Sequence, residues 1–184
     1  MDAKAALRKE MRVLRASIPA PEHRMKSAAI RARLLKVCLD RRLTRIGLFA
    51  PFRAEVDLMP AVEARPDWLW YFPRIITDQP PRLAWGTEPL EPGRFGILEP
   101  VFAQALLPPV QVLLAPCLAF DRDGYRLGYG GGFYDALLER LPEDILTLAV
   151  AFECQEVDEL PRDPQDIPVQ GVVTEHGVRW FDGD

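Results

Sequence analysis

The sequence predicts an α/β fold of three layers, α/β/α, with a mostly parallel central sheet and two helices ahead of it. Three observations lead there. Short apolar runs that read as strands alternate with helical patterns. Several of those runs, such as Val112-Leu113-Leu114-Ala115, are apolar at every position, as strands covered on both faces are. The 18 prolines among 184 residues cut the chain into short elements and argue against a helical bundle.

Asp2 is placed to cap a first helix. Its apolar stripe is Leu7, Met11, Leu14 and Ile18 at helical spacing. Lys4, Arg8, Arg12 and Arg15 occupy a neighbouring face, with Lys4 and Arg8 one turn apart. On a lone helix such a face is a solvated basic stripe. Pro19 and Pro21 end this helix, and a second is expected over residues 22–39, with Ala29, Ile30, Leu34, Val37 and Cys38 inward.

Residues 45–50 read as the first buried strand, ended by Pro51. The loop that follows carries Glu55 and Asp57, and loops after the carboxyl ends of strands are where open α/β sheets bind ligands. A short helix is expected over residues 60–64, with Pro60 in its first turn. Residues 68–72 read as a second strand stopped by Pro73, with Arg74 just beyond it. Residues 77–110 are the least legible; 83–85 and 95–98 read as short strands. Residues 112–116 read as a buried strand, continued in extended form by 117–120, with a turn at Asp121-Arg122-Asp123-Gly124. A helical pattern occupies 133–141 and a two-face buried strand 146–152. Residues 171–174 and 178–181 read as a closing hairpin.

Composition narrows the function classes. Hydrophobic residues make up 48% and charged residues 27%, ordinary for a globular protein of one domain, here 1–184. The net charge of −4 gives no global basic field for nucleic acid. No apolar run approaches the roughly 20 residues of a membrane span. The N-terminus leads into a charged helix, not an apolar signal core, so the expected compartment is the cytoplasm. Cys38, Cys117 and Cys154 read as buried thiols of a reducing compartment. Only two histidines are present, which excludes a histidine-rich metal site and gives a Ser-His-Asp triad little support. The expected state is a monomer.

The stretch Arg126-Leu127-Gly128-Tyr129-Gly130-Gly131-Gly132-Phe133-Tyr134-Asp135 organises the chain. Glycines let a backbone approach a ligand closely, and a helix starting just after them presents free N–H groups. A phosphate cradle is one reading and a glycine-rich turn is the other; the residues alone leave both open. No Gly-Lys-Ser or Gly-Lys-Thr closes a Walker A loop, and no ribose-binding acid follows at dinucleotide spacing.

These residues carry a resemblance. Lys4-Ala5-Ala6-Leu7-Arg8, Glu55-Val56-Asp57, Phe72-Pro73-Arg74 and the run from Ala119-Phe120-Asp121 to Asp135 match, in order, the 5-formyltetrahydrofolate cyclo-ligase family, also called methenyltetrahydrofolate synthetases. The Arg-Leu-Gly-x-Gly-x-Gly-aromatic-Tyr-Asp run is the most distinctive piece. A weaker match covers Leu160-Pro161, Asp166-Ile167-Pro168 and Thr174-Glu175. Phe133 stands where the family has tyrosine and Leu58 where threonine is common; neither change removes a charge.

The resemblance implies an ATP-dependent ligase that closes 5-formyltetrahydrofolate to 5,10-methenyltetrahydrofolate, releasing ADP and phosphate after phosphorylation of the formyl oxygen. It implies ATP contacts from Lys4, Arg8, Arg126, Leu127, Gly128, Tyr129, Gly130, Gly131, Gly132, Phe133 and Tyr134, with catalytic roles for Arg126 and Tyr134. By the same carry-over Ala50 and Glu55 contact the folate, and Asp135 and Asp166 hold Mg2+. The partners implied are ATP and a reduced folate. A noncatalytic nucleotide- or folate-binding regulator on the same fold is the competing reading; the intact charges at Lys4, Arg8, Glu55, Arg126, Asp135 and Asp166 weigh against it.

Overall fold

The computed structural model describes residues 2–181. In chain order the helices are α1 (Ala3–Ala16), α2 (Ala20–Asp40), α3 (Met59–Ala64) and α4 (Phe133–Leu138). The strands are β1 (Arg45–Gly47), β2 (Leu69–Asp78), β3 (Pro81–Gly86), β4 (Leu90–Pro92), β5 (Leu98–Pro100), β6 (Val112–Pro116), β7 (Ala119–Phe120), β8 (Arg126–Leu127), β9 (Leu146–Val150), β10 (Gly171–Val173) and β11 (Val178–Trp180).

Seven strands form the main sheet in the order β11-β10-β9-β6-β1-β2-β3. The five inner strands run parallel, and β3 and β11 pair antiparallel at the two edges. This is the expected α/β class. Alternation along β6 and β9 separates the two faces. Leu114 and Leu148 point into a core under α2 and α3, with Ile30, Leu34, Ile46, Val62 and Phe72. Leu113 and Ala149 point into a second core under α4, with Trp85, Leu137 and Val172. Each face therefore has its own helical layer.

The carboxylate of Asp2 accepts from the Lys4 N–H at 3.1 Å and starts α1, as its position suggested. Met11 is the buried centre of the α1 stripe. It packs with Leu118, Ala119 and Leu127 at the β7–β8 hairpin and with Leu160 further along the chain, while Leu14 is exposed, contrary to expectation. The reason is that α1 packs on a narrow two-stranded hairpin, not on the broad sheet. Its neighbouring face is no solvated stripe either: Arg15 is 3% exposed.

Pro73 does not end the second strand, because β2 continues to Asp78. Pro73 lies opposite Trp85, whose N–H and C=O both turn away to Ala105. At such a non-hydrogen-bonded position the missing proline N–H costs no ladder bond. Arg74 therefore lies within a strand, not in a loop. Residues 95–98 are not a strand either: Arg94–Gly96 is a 3-10 turn between the short antiparallel β4 and β5. The helix expected over 133–141 is shorter, ending at Leu138. Residues 119–120 leave the main sheet to pair with β8 around the predicted turn, where Asp121 accepts from the N–H groups of Asp123 and Tyr125. Cys38 and Cys117 are buried and unpaired as expected, whereas Cys154 is exposed. The closing hairpin forms as predicted, as β10 and β11.

Candidate active site

The parallel strands β1 and β6 are neighbours, and the chain leaves them in opposite directions across the sheet. Such a switch point opens a crevice beyond the strands' carboxyl ends. Here it holds a cleft of about 1030 Å³. One wall is the loop after β1, another is the glycine stretch after β8, and a third is the segment around β3 to β5. All fifteen residues singled out from the sequence line it: Lys4, Arg8, Ala50, Glu55, the ten from Arg126 to Asp135, and Asp166.

The glycine stretch leaves β8 and enters α4. Leu127 anchors it, with a buried side chain and a carbonyl that accepts from the Leu118 N–H at 2.7 Å. Gly130 has φ +103, a conformation side chains rarely adopt. A Cβ built there would lie 3.4 Å from the Arg8 guanidinium carbon. Gly131 has no positive φ and is restricted instead by the Phe133 ring, 2.7 Å from a would-be Cβ. Since α4 has only six residues, the positive character of this wall comes mainly from side chains, not from a helix dipole.

Those side chains come from α1, more than a hundred residues away in sequence. Arg8 Nε donates to the Gly128 carbonyl at 3.0 Å, which lays the guanidinium over the loop. Lys4 Nζ lies 2.6 Å from Asp163 Oδ2 and 2.5 Å from Asp166 Oδ2. Burial pulls the Lys4 ammonium down, but its bonds and charge interactions with Asp163 and Asp166 outweigh that and hold it above its ordinary 10.5.

Arg126 is buried, and its Nη2 donates to Asp135 Oδ1 at 3.0 Å. The same carboxylate oxygen accepts from the Ile167 N–H at 3.4 Å, next to Asp166 in sequence. Arg126 Nε and the Tyr134 hydroxyl are both buried and have no partner among the described residues. The guanidinium carbon of Arg126 stands 5.6 Å from the Tyr134 ring centre. Burial, then the Glu55 charge, push the Tyr134 phenol well above its ordinary value despite Arg126, so at neutral pH it stays a donor. Both residues line the cleft, and a buried donor without a partner is costly.

Glu55 is 5% exposed. Its Oε2 accepts from the Phe52 N–H at 2.8 Å and its Oε1 from the Tyr129 hydroxyl at 2.9 Å. Arg15 Nη2 donates in turn to the Tyr129 oxygen. Burial raises the Glu55 carboxyl above its ordinary 4.5, while the Phe52 N–H, the Arg15 charge and Tyr129 pull it back in part. Ala50 is buried beside it in the same wall.

Sequence reasoning missed the third wall. Phe95, 75% exposed and at φ +59, overhangs the cleft with Ile97 and Leu98. The only sequence signal was an aromatic residue among prolines and glycines. Arg74 holds this flap from outside: its Nη1 donates to the carbonyls of Pro100 at 2.9 Å and Val101 at 3.1 Å. Asp163, the second partner of Lys4, was also missed.

Fold and cleft together define a class: an α/β protein with a glycine-loop pocket, roofed by cations, beside a buried carboxylate. Its comparisons with known proteins agree on one family. Residues 1–175 match the 5-formyltetrahydrofolate cyclo-ligase family. A protein of that name from Haemophilus influenzae is 28% identical over 177 residues, spanning 89% of this chain and 92% of the relative. One from Escherichia coli is 33% identical over 143 residues, spanning 70% of this chain and 76% of the relative. The NMR structure of Aquifex aeolicus 5,10-methenyltetrahydrofolate synthetase superposes with a TM-score of 0.83 at 34% identity, covering 98% of this chain and 94% of that one. The Mycoplasma pneumoniae 5,10-methenyltetrahydrofolate synthetase shares the fold, with a TM-score of 0.78 at 23% identity, covering 95% of this chain and 99% of that one. The chain belongs to the 5-formyltetrahydrofolate cyclo-ligase family.

Proposed function

We propose that this protein is an ATP-dependent ligase that cyclises 5-formyltetrahydrofolate to 5,10-methenyltetrahydrofolate, with release of ADP and phosphate. The observation that carries the reading is one cleft that joins a glycine loop under Lys4 and Arg8 to the buried carboxylate of Glu55, in a member of this family.

The formyl oxygen on N5 is a poor leaving group. Transfer of the γ-phosphoryl group onto it breaks the bond from the β–γ bridging oxygen to the γ-phosphorus. A new phosphorus–oxygen bond forms, and ADP departs. The formyl carbon becomes an iminium carbon bearing phosphate. N10 attacks that carbon, the carbon–oxygen bond breaks, and inorganic phosphate leaves, able to take the proton that N10 gives up. Transfer of this kind asks a protein for position and charge neutralisation more than for a nucleophile. The loop from Gly128 to Gly132 cradles the phosphates, with Leu127 and Phe133 fixing its ends. Lys4 and Arg8 meet their charge from above.

Arg126 brings its positive charge to the wall that holds the transferring group, and the Tyr134 phenol is a second donor in that wall. Burial raises the Tyr134 phenol and so favours a donor role for it. Glu55 accepts from pterin N–H groups with the lone pairs that Phe52 and Tyr129 leave free, next to Ala50.

Among the described residues no three acids, histidines or cysteines gather to hold a metal ion alone. Asp135 and Asp166 nevertheless fit the Mg2+ that travels with ATP, because magnesium in such sites takes one or two carboxylates and completes its shell with phosphate oxygens and water. Both line the nucleotide wall, and both have cationic partners that a metal could replace. When bound, Mg2+ would neutralise charge on the phosphates.

The reading extends to the whole chain as one catalytic domain, monomeric, acting in the cytoplasm on ATP and a reduced folate without nucleic acid or membrane. No described helix is long and apolar enough to cross a membrane. Purified protein mixed with ATP, Mg2+ and 5-formyltetrahydrofolate should develop the near-ultraviolet absorbance of the methenyl product, and omission of any one should prevent it. No absorbance from the complete mixture would rule the activity out.

A further inference from the structure

The two halves of the cleft are joined by one side chain. Tyr129 belongs by its backbone to the glycine loop. Gly128 before it is held by Arg8, and Gly130 after it carries the positive φ. By its hydroxyl it belongs to the opposite wall, donating to Glu55 Oε1 at 2.9 Å and accepting from Arg15 of α1. Its ring is clamped between these. The Arg12 and Arg15 guanidinium carbons each lie 5.7 Å from the ring centre, and Phe52 meets it edge-on at 6.2 Å. A change in the loop that the phosphates impose must therefore shift Tyr129, and with it the acceptor plane of Glu55.

We infer that Tyr129 is a positioning residue that couples the two substrates: the Arg15–Tyr129–Glu55 chain transmits occupancy of the nucleotide loop to the folate-binding carboxylate, and the reverse. The inference rests on the reading of those two subsites given above. Its physical content is differential order. The bond from Tyr129 to Glu55 is made without any ligand, but the backbone that carries it lies between glycines, so it is held less firmly than it would be with the loop fixed. With phosphates bound, the loop is fixed and the hydroxyl fixes the carboxylate, so the folate meets an acceptor already in place. Linkage makes the effect reciprocal, so each ligand tightens the other by the same factor. The hydroxyl itself is the coupling element. The ring alone would keep the packing against Phe52 and Arg12 but would lose both polar bonds.

The test is calorimetry on the full chain with Mg2+, a non-hydrolysable ATP analogue and 5-formyltetrahydrofolate, each titrated alone and in saturating amounts of the other. For the wild type each ligand should tighten the other by about fivefold or more, within the usual range for coupled sites. In Tyr129→Phe the mutual enhancement should fall to about one, whatever the affinity of each ligand alone becomes. Tyr129→Met, which also lacks the hydroxyl but changes the packing, should show the same loss. Thermal melts of both variants separate this from unfolding, because a merely structural role would lower the melting temperature and leave the coupling ratio unchanged. A wild type that binds the two ligands independently, or a Tyr129→Phe protein that keeps the full enhancement, overturns the inference. Wild-type protein that binds neither ligand alone nor both together overturns the reading of the subsites themselves, and this inference with it.

Discussion

The ammonium of Lys4 lies 2.5 Å from Oδ2 of Asp166, 162 residues further along the chain. This contact ties α1 across the mouth of the cleft, beside the second bond to Asp163 at 2.6 Å. An exposed pair would contribute roughly 1 kcal/mol or less, but the Lys4 side chain is largely shielded. The pair therefore contributes to stability as well as placing a cation over the loop. Lys4→Ala removes the cation over the loop and leaves two carboxylates facing incoming phosphate. The KM for ATP should rise at least tenfold in steady-state assays, with a lowered melting temperature from the lost pairs with Asp163 and Asp166. A variant with wild-type kinetics would return Lys4 to a tether without function.

Gly130→Val places a branched side chain at φ +103, under the Arg8 guanidinium. Backbone strain of this kind costs about 1–3 kcal/mol. The new methyl groups also fill the space a phosphate would need. The expected outcome is a folded but less stable protein whose calorimetric titration with ATP and Mg2+ shows no binding. Gly131→Val should be disruptive for a different reason, since its Cβ meets the Phe133 ring and not a forbidden φ. Unchanged ATP affinity in a folded Gly130→Val protein would make the loop a turn and nothing more.

Phe95 combines features that rarely coexist without function: a large apolar side chain in solvent and a φ of +59. Relief of that strain by Phe95→Gly is offset in part by the entropy glycine loses on folding, leaving a net gain between zero and about 1 kcal/mol. The flap would lose the ring that overhangs the cleft. If that ring covers the folate, a melting temperature equal to or above wild type, together with a KM for 5-formyltetrahydrofolate raised severalfold and a normal KM for ATP, is the expected pattern. A destabilised protein with normal folate kinetics would make Phe95 a structural residue.

The parts of this protein that the sequence made legible are those whose causes are local. The apolar runs of β6 and β9 announce buried parallel strands, and Asp2 announces the start of α1. The glycine run marks the loop because backbone freedom is written in the residues that have it. What stayed hidden depends on partners far away in the chain. Arg15 reads as a surface charge until the Cys117 carbonyl and Tyr129 are placed around it. Pro73 reads as a stop until Trp85 is seen to turn its hydrogen bonds to Ala105. The flap strands have three residues each, with a proline in each, and Arg74 of β2 holds them from outside. Nothing in their own sequence specifies a pair.

Glu55 supplies the pH dependence. Burial raises its carboxyl above the ordinary 4.5, only partly offset by the Phe52 N–H, Arg15 and Tyr129. For an acid raised on folding, the folded state binds the proton more tightly than the unfolded one. Its contribution to stability is therefore greatest below about 4.5 and declines as pH rises toward the folded pKa. Activity should run the other way. Two pterin N–H donors need the ionised carboxylate, so kcat/KM for 5-formyltetrahydrofolate should climb with pH through an apparent pKa above 4.5. Glu55→Gln keeps the shape but turns one acceptor into a donor. With its oxygen held by the Phe52 N–H, its amide would face Tyr129 and the pterin. A donor set against a donor costs about 1–3 kcal/mol, roughly a tenfold to hundredfold rise in the folate constant. The variant should lose the acidic limb of the kcat/KM profile and keep a near-normal KM for ATP. If that limb persists in Glu55→Gln, or if the ATP constant rises in place of the folate constant, Glu55 is not the folate acceptor.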